Sequence, residues 1–421
     1  MAEWLTSLAR LLTSYEFYYP LFMAFLWMIG AVYYYFHWER PLRDKFHDPA
    51  PLTEYPGVSF IVPCHNEGDN VVETVEYLLR QNYPEFEIIT INDGSDDNTG
   101  ALIDELAARH ERVRAVHLAD NQGKAMALRM GALVSKHDFL ICIDGDTLLD
   151  QNAATWIMRH FIMGSRVGAV TGNPRVRTRS TLLGKIQVGE FSSIVGMIKR
   201  AQRIYGRVFT VSGVVAAFRK SALHQIGYWS TDMVTEDIDV SWNLQLHHWD
   251  IRFEPNALCW ILMPETLRGL WRQRLRWAQG GMEVLLKYLP DIRVWRKRRM
   301  WPVYIEFITS AVWAYFMALI VILWSLDQVT ELSSATGELT LIPGWGGVIL
   351  GTVCMFQFAL SMVIDSRFER GLGRVYYWMI WYPVVYWFIN VMVTVVALPR
   401  ALMRRRGIRA TWVSPDRGLH P

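Results

Sequence analysis

The chain is poor in the features that would make it a disulfide scaffold, a zinc-finger protein or a nucleic-acid binder. Its 421 residues include four cysteines, Cys64, Cys142, Cys259 and Cys354. None has CxxC spacing, so neither a zinc site nor a disulfide framework is indicated. Cys64 and Cys142 fall in or beside predicted strands, where buried thiols suit a reducing, cytoplasmic domain. The formal net charge is only +3, and no nucleic-acid partner is expected. Internal repeats and low-complexity stretches are also missing.

Charge itself is missing from four stretches, 17–38, 307–326, 339–364 and 375–399, which contain no Asp, Glu, Lys or Arg. Each reaches the ~20 residues needed to cross a bilayer, whereas a buried core helix rarely runs so long uncharged. The first lacks the basic start and short apolar core of a cleavable signal, and reads as a retained span. Tyr18, Tyr19, Tyr33 and Trp38 crowd its ends as interfacial aromatics. With 52% hydrophobic residues, the chain divides into an N-terminal segment with a span (1–38), a soluble domain (39–263) and an amphipathic interface segment (264–302). A region of about three apolar segments (303–399) and a basic tail (400–421) follow. Arg40, Arg43 and Lys45 bound the soluble domain on one side and Arg296, Arg298 and Arg299 on the other, which places it in the cytoplasm by the positive-inside tendency. Loop 327–341 has no Lys or Arg and suits the opposite side. Simple alternation puts the C-terminus outside, while Arg400, Arg404, Arg405, Arg406 and Arg409 point inside. Pro383 is placed to break the last apolar stretch in two, and the topology there stays open.

Within the soluble domain, apolar runs at 58–62, 86–91, 113–118 and 139–143 read as strands. The first is expected to stop at Pro63. Helical spacing marks 69–81, the region around 102–106, and 122–134. Strands apolar on both faces, alternating with helices, imply an α/β domain on a parallel sheet. Such sheets bind ligands at the carboxyl ends of their strands.

Polar motifs stand at those ends. Asp144-Gly145-Asp146 follows the fourth strand, and two carboxylates around a flexible residue can turn toward one Mg²⁺ or Mn²⁺. An acidic turn with no ligand is the bland alternative. Asp93 sits in the turn after the second strand, where a carboxylate can accept from a base or ribose, although Asp-Gly turns need no ligand. Lys124 opens a helix, so its charge and the free N–H groups would face a diphosphate. His65 reads as structural. Glu236 and Asp237 open a further apolar-patterned segment. Acidic residues there ordinarily complement the helix dipole, but adjacent carboxylates also raise each other's proton affinity, which suits a general base. Residues 267–277 place Leu267, Leu270, Trp271 and Leu275 opposite Arg268, Arg272 and Arg276, a cationic amphipathic helix at a membrane surface. To that reading Trp277 adds a face for a sugar ring, and Arg276 a charge for a departing diphosphate.

The ordered set Asp93, Asp144-Gly145-Asp146, Thr235-Glu236-Asp237 and Gln273-Arg274-Leu275-Arg276-Trp277 resembles the processive family 2 glycosyltransferases. These include the cellulose, chitin and hyaluronan synthases. The stretches 170–175, 184–190, 209–213, 257–265 and 412–418 bring the resemblance closest to the bacterial poly-β-1,6-N-acetylglucosamine synthases, over nearly the whole chain from about residue 17. The resemblance implies a GT-A (Rossmann-like) fold. It also implies an inner-membrane, multi-pass, inverting hexosyltransferase that polymerises N-acetylglucosamine from UDP-GlcNAc into a biofilm exopolysaccharide and helps it across the membrane. Residue by residue, Asp93 would bind uridine, while Asp144 and Asp146 would hold the ribose, diphosphate and metal. Lys124 would approach the nucleotide, and Asp237 would be the base beside Glu236. Ser212 and Gly213 would line the acceptor cleft, and Gln273, Arg276 and Trp277 would hold diphosphate and acceptor. A small membrane subunit of the PgaD type is the implied partner, and cyclic dinucleotide regulation, where present, would act through it. The alternatives are synthesis of another β-linked polymer of the hyaluronan, chitin or cellulose type, or non-processive transfer to a lipid.

Overall fold

A computed structural model describes residues 2–45, 47–330, 344–405 and 407–412. Alternating helices and strands build the α/β domain: β1 (Val58–Cys64), α2 (Val71–Leu79), β2 (Phe86–Asp93), α3 (Thr99–Arg109), β3 (Val113–Leu118), α4 (Lys124–Val134) and β4 (Phe139–Ile143), after a long α1 (Ala2–Tyr34). All four predicted strands are present. They are mutually parallel because each connection contains a helix that returns the chain to the same end of the sheet. β1 continues through Pro63 to Cys64 rather than stopping. Its pairing with β4 ends at Ile61, so the proline lies beyond that ladder.

The rest of the sheet departs from the expected parallel pattern. β5 (Leu148–Leu149), α5 (Ala153–Met163) and β6 (Val167–Val176) lead to α6 (Leu182–Phe191) and then, through a π-helical turn at Ser192–Ile198, to α7 (Lys199–Tyr205). The chain returns as β7 (Val215–Arg219), then α8 (Lys220–Ile226), α9 (Glu236–Leu246) and β8 (Asp250–Ile261). The strand order is β3-β2-β1-β4-β7-β6-β8-β5. β7 runs antiparallel to both β4 and β6. The α6–α7 excursion carries the chain to the membrane helices, so it re-enters the sheet from the opposite end and reverses direction. Residues from α2, α3 and α5 pack one face of the sheet, and residues from α4, α8 and α9 the other. All four cysteines are buried.

α10 (Leu267–Tyr288) holds the Gln-Arg-Leu-Arg-Trp motif and continues through short 3₁₀ turns into α11 (Trp301–Thr330). α12 (Gly344–Asp365), α13 (Gly373–Tyr376) and α14 (Trp387–Met403) follow. Among the described residues, four helical segments are long and apolar enough to cross a membrane: Ser14–Leu42, Trp295–Leu326, Gly344–Asp365 and Gly373–Met403. They contain the expected stretches, except for 339–343, which lie outside the described residues together with most of loop 327–341 and the tail 413–421. Pro383 falls in a π-helical turn between α13 and α14, where the last stretch was expected to break. The faces read for α10 are shifted: Leu267 is exposed and Arg274 buried. Arg274 is drawn inward by an ion pair with Glu190 on α6, which outweighs simple amphipathic partition.

Candidate active site

Of the eleven predicted site residues, ten line one cavity of 440 Å³: Lys124, Asp144, Asp146, Ser212, Gly213, Glu236, Asp237, Gln273, Arg276 and Trp277. They come from five places in the chain. β4 delivers Asp144 and Asp146 from its carboxyl end, as parallel strands do, and α4 delivers Lys124 from its first residue. The Lys124 ammonium lies 2.5 Å from Asp144 Oδ1 and 3.3 Å from Glu236 Oε1, and donates to the Gly213 carbonyl at 3.2 Å. Burial alone would lower the Lys124 pKa, but Asp144 and Glu236 outweigh it and hold the amine protonated. One lysine thus ties the strand-end aspartates to the acidic pair and the Ser212-Gly213 loop.

Asp237 stands in the first turn of α9, where Oδ1 accepts from the Ile238 N–H at 2.9 Å. Burial, reinforced by the charge of Glu236, pushes its pKa from 3.8 up to about 6. That value places its ionised form near neutrality with appreciable basicity, as a general base requires. The pair also stands in the first turn of α9, where its charge complements the helix dipole. The Gly213 backbone comes close to Asp237: a Cβ there would lie 3.0 Å from Asp237 Oδ2.

On α10, Gln273, Arg276 and Trp277 face the same cavity. Gln273 Oε1 is buried with no protein donor among the described residues. The Trp277 ring is stacked under the Arg274 guanidinium at 4.5 Å. Arg274 in turn sits 2.5 Å from Glu190, which accepts from the Tyr382 hydroxyl at 3.3 Å. Burial raises the Glu190 pKa against the pull of Arg274.

Asp93 is the predicted residue that the cavity leaves out. It is the last residue of β2 rather than part of a free turn, and it is fully buried. Its two oxygens accept the backbone N–H groups of Gln122 (2.7 Å) and Gly123 (2.8 Å). Gly123 has φ +87°, a conformation that glycine adopts without strain. Asp93 thus fixes the loop that launches Lys124. His65 is structural as read, bonding the Asp93 carbonyl at 2.8 Å. Across this loop lies the C-terminal segment, where Trp412 and Asn121 exchange hydrogen bonds of 2.9 and 3.1 Å.

The two strand-end aspartates suit a divalent cation with oxygen ligands. Asp144 is half-buried, and the lost hydration raises its pKa. Its Oδ1 lies against the Lys124 ammonium at 2.5 Å. Among the described residues, no group of three or more His, Cys, Asp or Glu side chains is arranged to hold a metal. The protein alone does not form a cage, which is the pattern of an ion completed by substrate phosphates and water.

A second cavity of 460 Å³ adjoins the first and shares Tyr19, Trp27, Glu190, Arg274, Trp277 and Ser310 with it. It runs among the apolar helices past Trp313, Gln357, Tyr382, Trp387 and Asn390. Sequence reasoning missed Glu190 and Arg274 as a pair because they lie 84 residues apart. It also missed Lys199, in a basic run that resembles a solvated helix face. The shared feature that exposes all three is a charge inside an otherwise apolar wall.

A model described as "Glycosyltransferase like family 2" matches residues 56–280. Poly-beta-1,6-N-acetyl-D-glucosamine synthases of Staphylococcus epidermidis and Staphylococcus aureus are each 41% identical to the chain, over 96% of it and 98% of their own length. Among solved structures, a mannosyltransferase from Pyrobaculum calidifontis, in complex with GDP-Man and Mn²⁺, is similar with a TM-score of 0.64 and 18% identity. That match covers 95% of this chain and 99% of the other. At that identity the likeness concerns the fold, which is GT-A.

Proposed function

The chain belongs to the family 2 glycosyltransferases, and from that premise we propose that it polymerises N-acetylglucosamine from UDP-GlcNAc into β-1,6-linked chains and passes them across the bacterial inner membrane. The observation that carries this reading is the continuity of charged and aromatic ends in one cavity that opens among the apolar helices. A transferase that adds a single sugar to a water-soluble acceptor has no need of the second cavity.

The nucleotide sugar enters against Lys124, with Asp144 and Asp146 placed to hold Mg²⁺ or Mn²⁺ and Asp93 fixing the loop that presents Lys124. When bound, a divalent cation neutralises diphosphate charge, so the leaving group needs no proton. Arg276 and Lys124 add fixed positive charge in a site shielded from water. The acceptor sugar stacks on Trp277 beside Ser212 and Gly213. Asp237, with Glu236 raising its basicity, takes the proton from the acceptor hydroxyl. That oxygen attacks the anomeric carbon from the face opposite UDP, the bond to the phosphate oxygen breaks, and the configuration inverts.

Because the lengthened chain ends between membrane helices, it has a path that shields its hydroxyls from lipid. Four spans are few for such a path, and a small membrane subunit of the PgaD type completes it in this reading. Any cyclic dinucleotide control acts through that subunit. The basic patches flanking the enzyme domain support a cytoplasmic orientation. Membranes containing the chain, given radiolabelled UDP-GlcNAc and Mg²⁺ or Mn²⁺, are expected to release UDP and accumulate polymer that a β-1,6-hexosaminidase degrades. A preference for UDP-glucose or UDP-glucuronate, or label confined to a lipid, would overturn the reading.

A further inference from the structure

The wall of the first cavity contains a cation that the chemistry above does not use. Lys199, the first residue of α7, follows directly on the π-helical turn Ser192–Ile198. It is 6% exposed and lines the cavity with Asp237 and Trp277. The other buried basic side chains, Arg175, Arg200, Arg207 and Arg274, each lie within ion-pair distance of a carboxylate. Lys124, lining the same cavity, has two. For Lys199, among the described residues, no carboxylate lies within that distance, and its amine donates to one group, the Thr171 hydroxyl, at 3.1 Å.

An ammonium offers three N–H donors. Burying them with one satisfied is costly, because unpaired buried donors forfeit their hydration. The arrangement persists only where something restores the missing partners, and the cavity is the side from which they can come. The location is specific. Thr171 Oγ1 also accepts the Ser212 N–H at 2.8 Å, so one hydroxyl clamps Lys199 to the Ser212-Gly213 loop. A Cβ at Gly213 would touch Asp237 Oδ2 at 3.0 Å. The amine is therefore joined through Thr171 to the loop that approaches the proposed base, in a cavity that Ile198 and Phe209 also line.

We propose that Lys199 is an acceptor-binding residue: its free N–H donors bond a hydroxyl or amide oxygen of the terminal sugar and hold that sugar with its reacting hydroxyl at Asp237. This rests on the polymerase reading above and adds the contact that aligns the acceptor. Stacking on Trp277 fixes the plane of a sugar ring but leaves it free to turn, whereas a directed hydrogen bond fixes the rotation. The electrostatic setting agrees. Burial pushes the Lys199 pKa from 10.5 down to about 7 against the pull of Asp237, so the amine is easily displaced from full charge and accommodates a neutral ligand. Groups perturbed in this way concentrate at functional sites.

The test compares Lys199→Met, which keeps the length and removes the donors, with Lys199→Gln, which keeps one donor group. In membranes supplied with UDP-GlcNAc, UDP affinity is measured first. UDP release and sugar transfer are then measured against increasing β-1,6-linked N-acetylglucosamine oligomer. In Lys199→Met the expected results are an acceptor KM raised about tenfold or more, the scale of a lost hydrogen bond to a charged group, and UDP affinity within about twofold of wild type. UDP release should also shift from transfer toward hydrolysis. Lys199→Gln should recover part of the acceptor affinity. An unchanged acceptor KM in Lys199→Met overturns the assignment, and so does loss of UDP binding in both variants, which would make the amine a structural strut. If the wild-type enzyme itself transfers no N-acetylglucosamine to the oligomer, the polymerase reading has failed instead.

Discussion

Two of the buried charge clusters among the described residues are built on opposite rules. At the seam between the enzyme domain and the membrane helices, Arg200 meets Glu39 at 2.5 Å and Asp365 at 3.0 Å. Arg367 meets Glu39 at 2.7 Å, and Arg175 meets Asp365 at 2.9 Å. Ser192 adds a hydrogen bond of 2.6 Å to Asp365. Two carboxylates are thus held by three guanidiniums, each oxygen pair engaged from more than one side. The active-site cavity is lined by six carboxylates (Asp144, Asp146, Glu190, Glu236, Asp237 and Glu306) and four basic side chains (Lys124, Lys199, Arg274 and Arg276). At the seam every carboxylate is matched by guanidiniums, and it joins the π-helical turn after α1 (Tyr35–Glu39) to α7, β6 and α12. The cavity carries surplus negative charge that suits a bound cation and raises the proton affinity of Asp237. Compensation marks the joint, and imbalance marks the chemistry.

The comparison breaks most visibly at Asp237. Asp237→Asn should lower sugar transfer by at least ~10²-fold, the usual scale for a general base, with UDP affinity kept. Wild-type turnover in that variant would remove the residue from the chemistry. At the seam the effect should fall on stability. Arg200→Met leaves two buried carboxylates short of a partner, which costs about 3 kcal/mol and should appear as a lower unfolding temperature in detergent. An unchanged transition would mean that the remaining arginines suffice.

Asp146→Asn should act between these extremes, weakening UDP binding about tenfold in the presence of Mn²⁺, in line with the loss of one charged ligand. Its effect should shrink when the metal is chelated, and equal weakening with and without metal would argue against a metal-binding role. The imbalance also predicts a pH dependence. Because burial and Glu236 raise the Asp237 pKa to about 6, the base is protonated below that value. Activity should then fall about tenfold per unit as pH drops through 6, while remaining level just above it. A profile that breaks near 4 would mean an unperturbed carboxylate.

Much of the parallel half of the fold was legible in the sequence. Its strands are short apolar runs, and each polar motif stands where a parallel strand ends. Asp144, Asp146 and Lys124 could be placed for that reason. The antiparallel half was not legible, because β7 reverses direction only after the α6–α7 excursion, and nothing local records that geometry. Asp93 was read as lying in the turn after a strand, whereas it ends β2, and its partners are two backbone N–H groups that no side-chain pattern reveals. The Gln-Arg-Leu-Arg-Trp segment was placed on the right helix, yet Arg274 turned inward to Glu190. Pairs separated by such distances in the chain leave no trace in periodicity. The same is true of Lys199, whose neighbours Arg200 and Arg203 make it look solvated.

The central claim is that nucleotide grip and polymer grip occupy two ends of one cavity and can be separated. The most direct measurement is product length and UDP affinity in Trp277→Ala, determined together on the same membranes. Removing the indole takes away the stacking face and leaves Lys124, Asp144 and Asp146 untouched. The account predicts UDP affinity within about twofold of wild type, long polymer abolished, and slow hydrolysis of UDP-GlcNAc remaining, since base–aromatic and sugar–aromatic stacking contacts are worth about 1–3 kcal/mol. Polymer of normal length from Trp277→Ala, with the protein retained in the membrane, would contradict it.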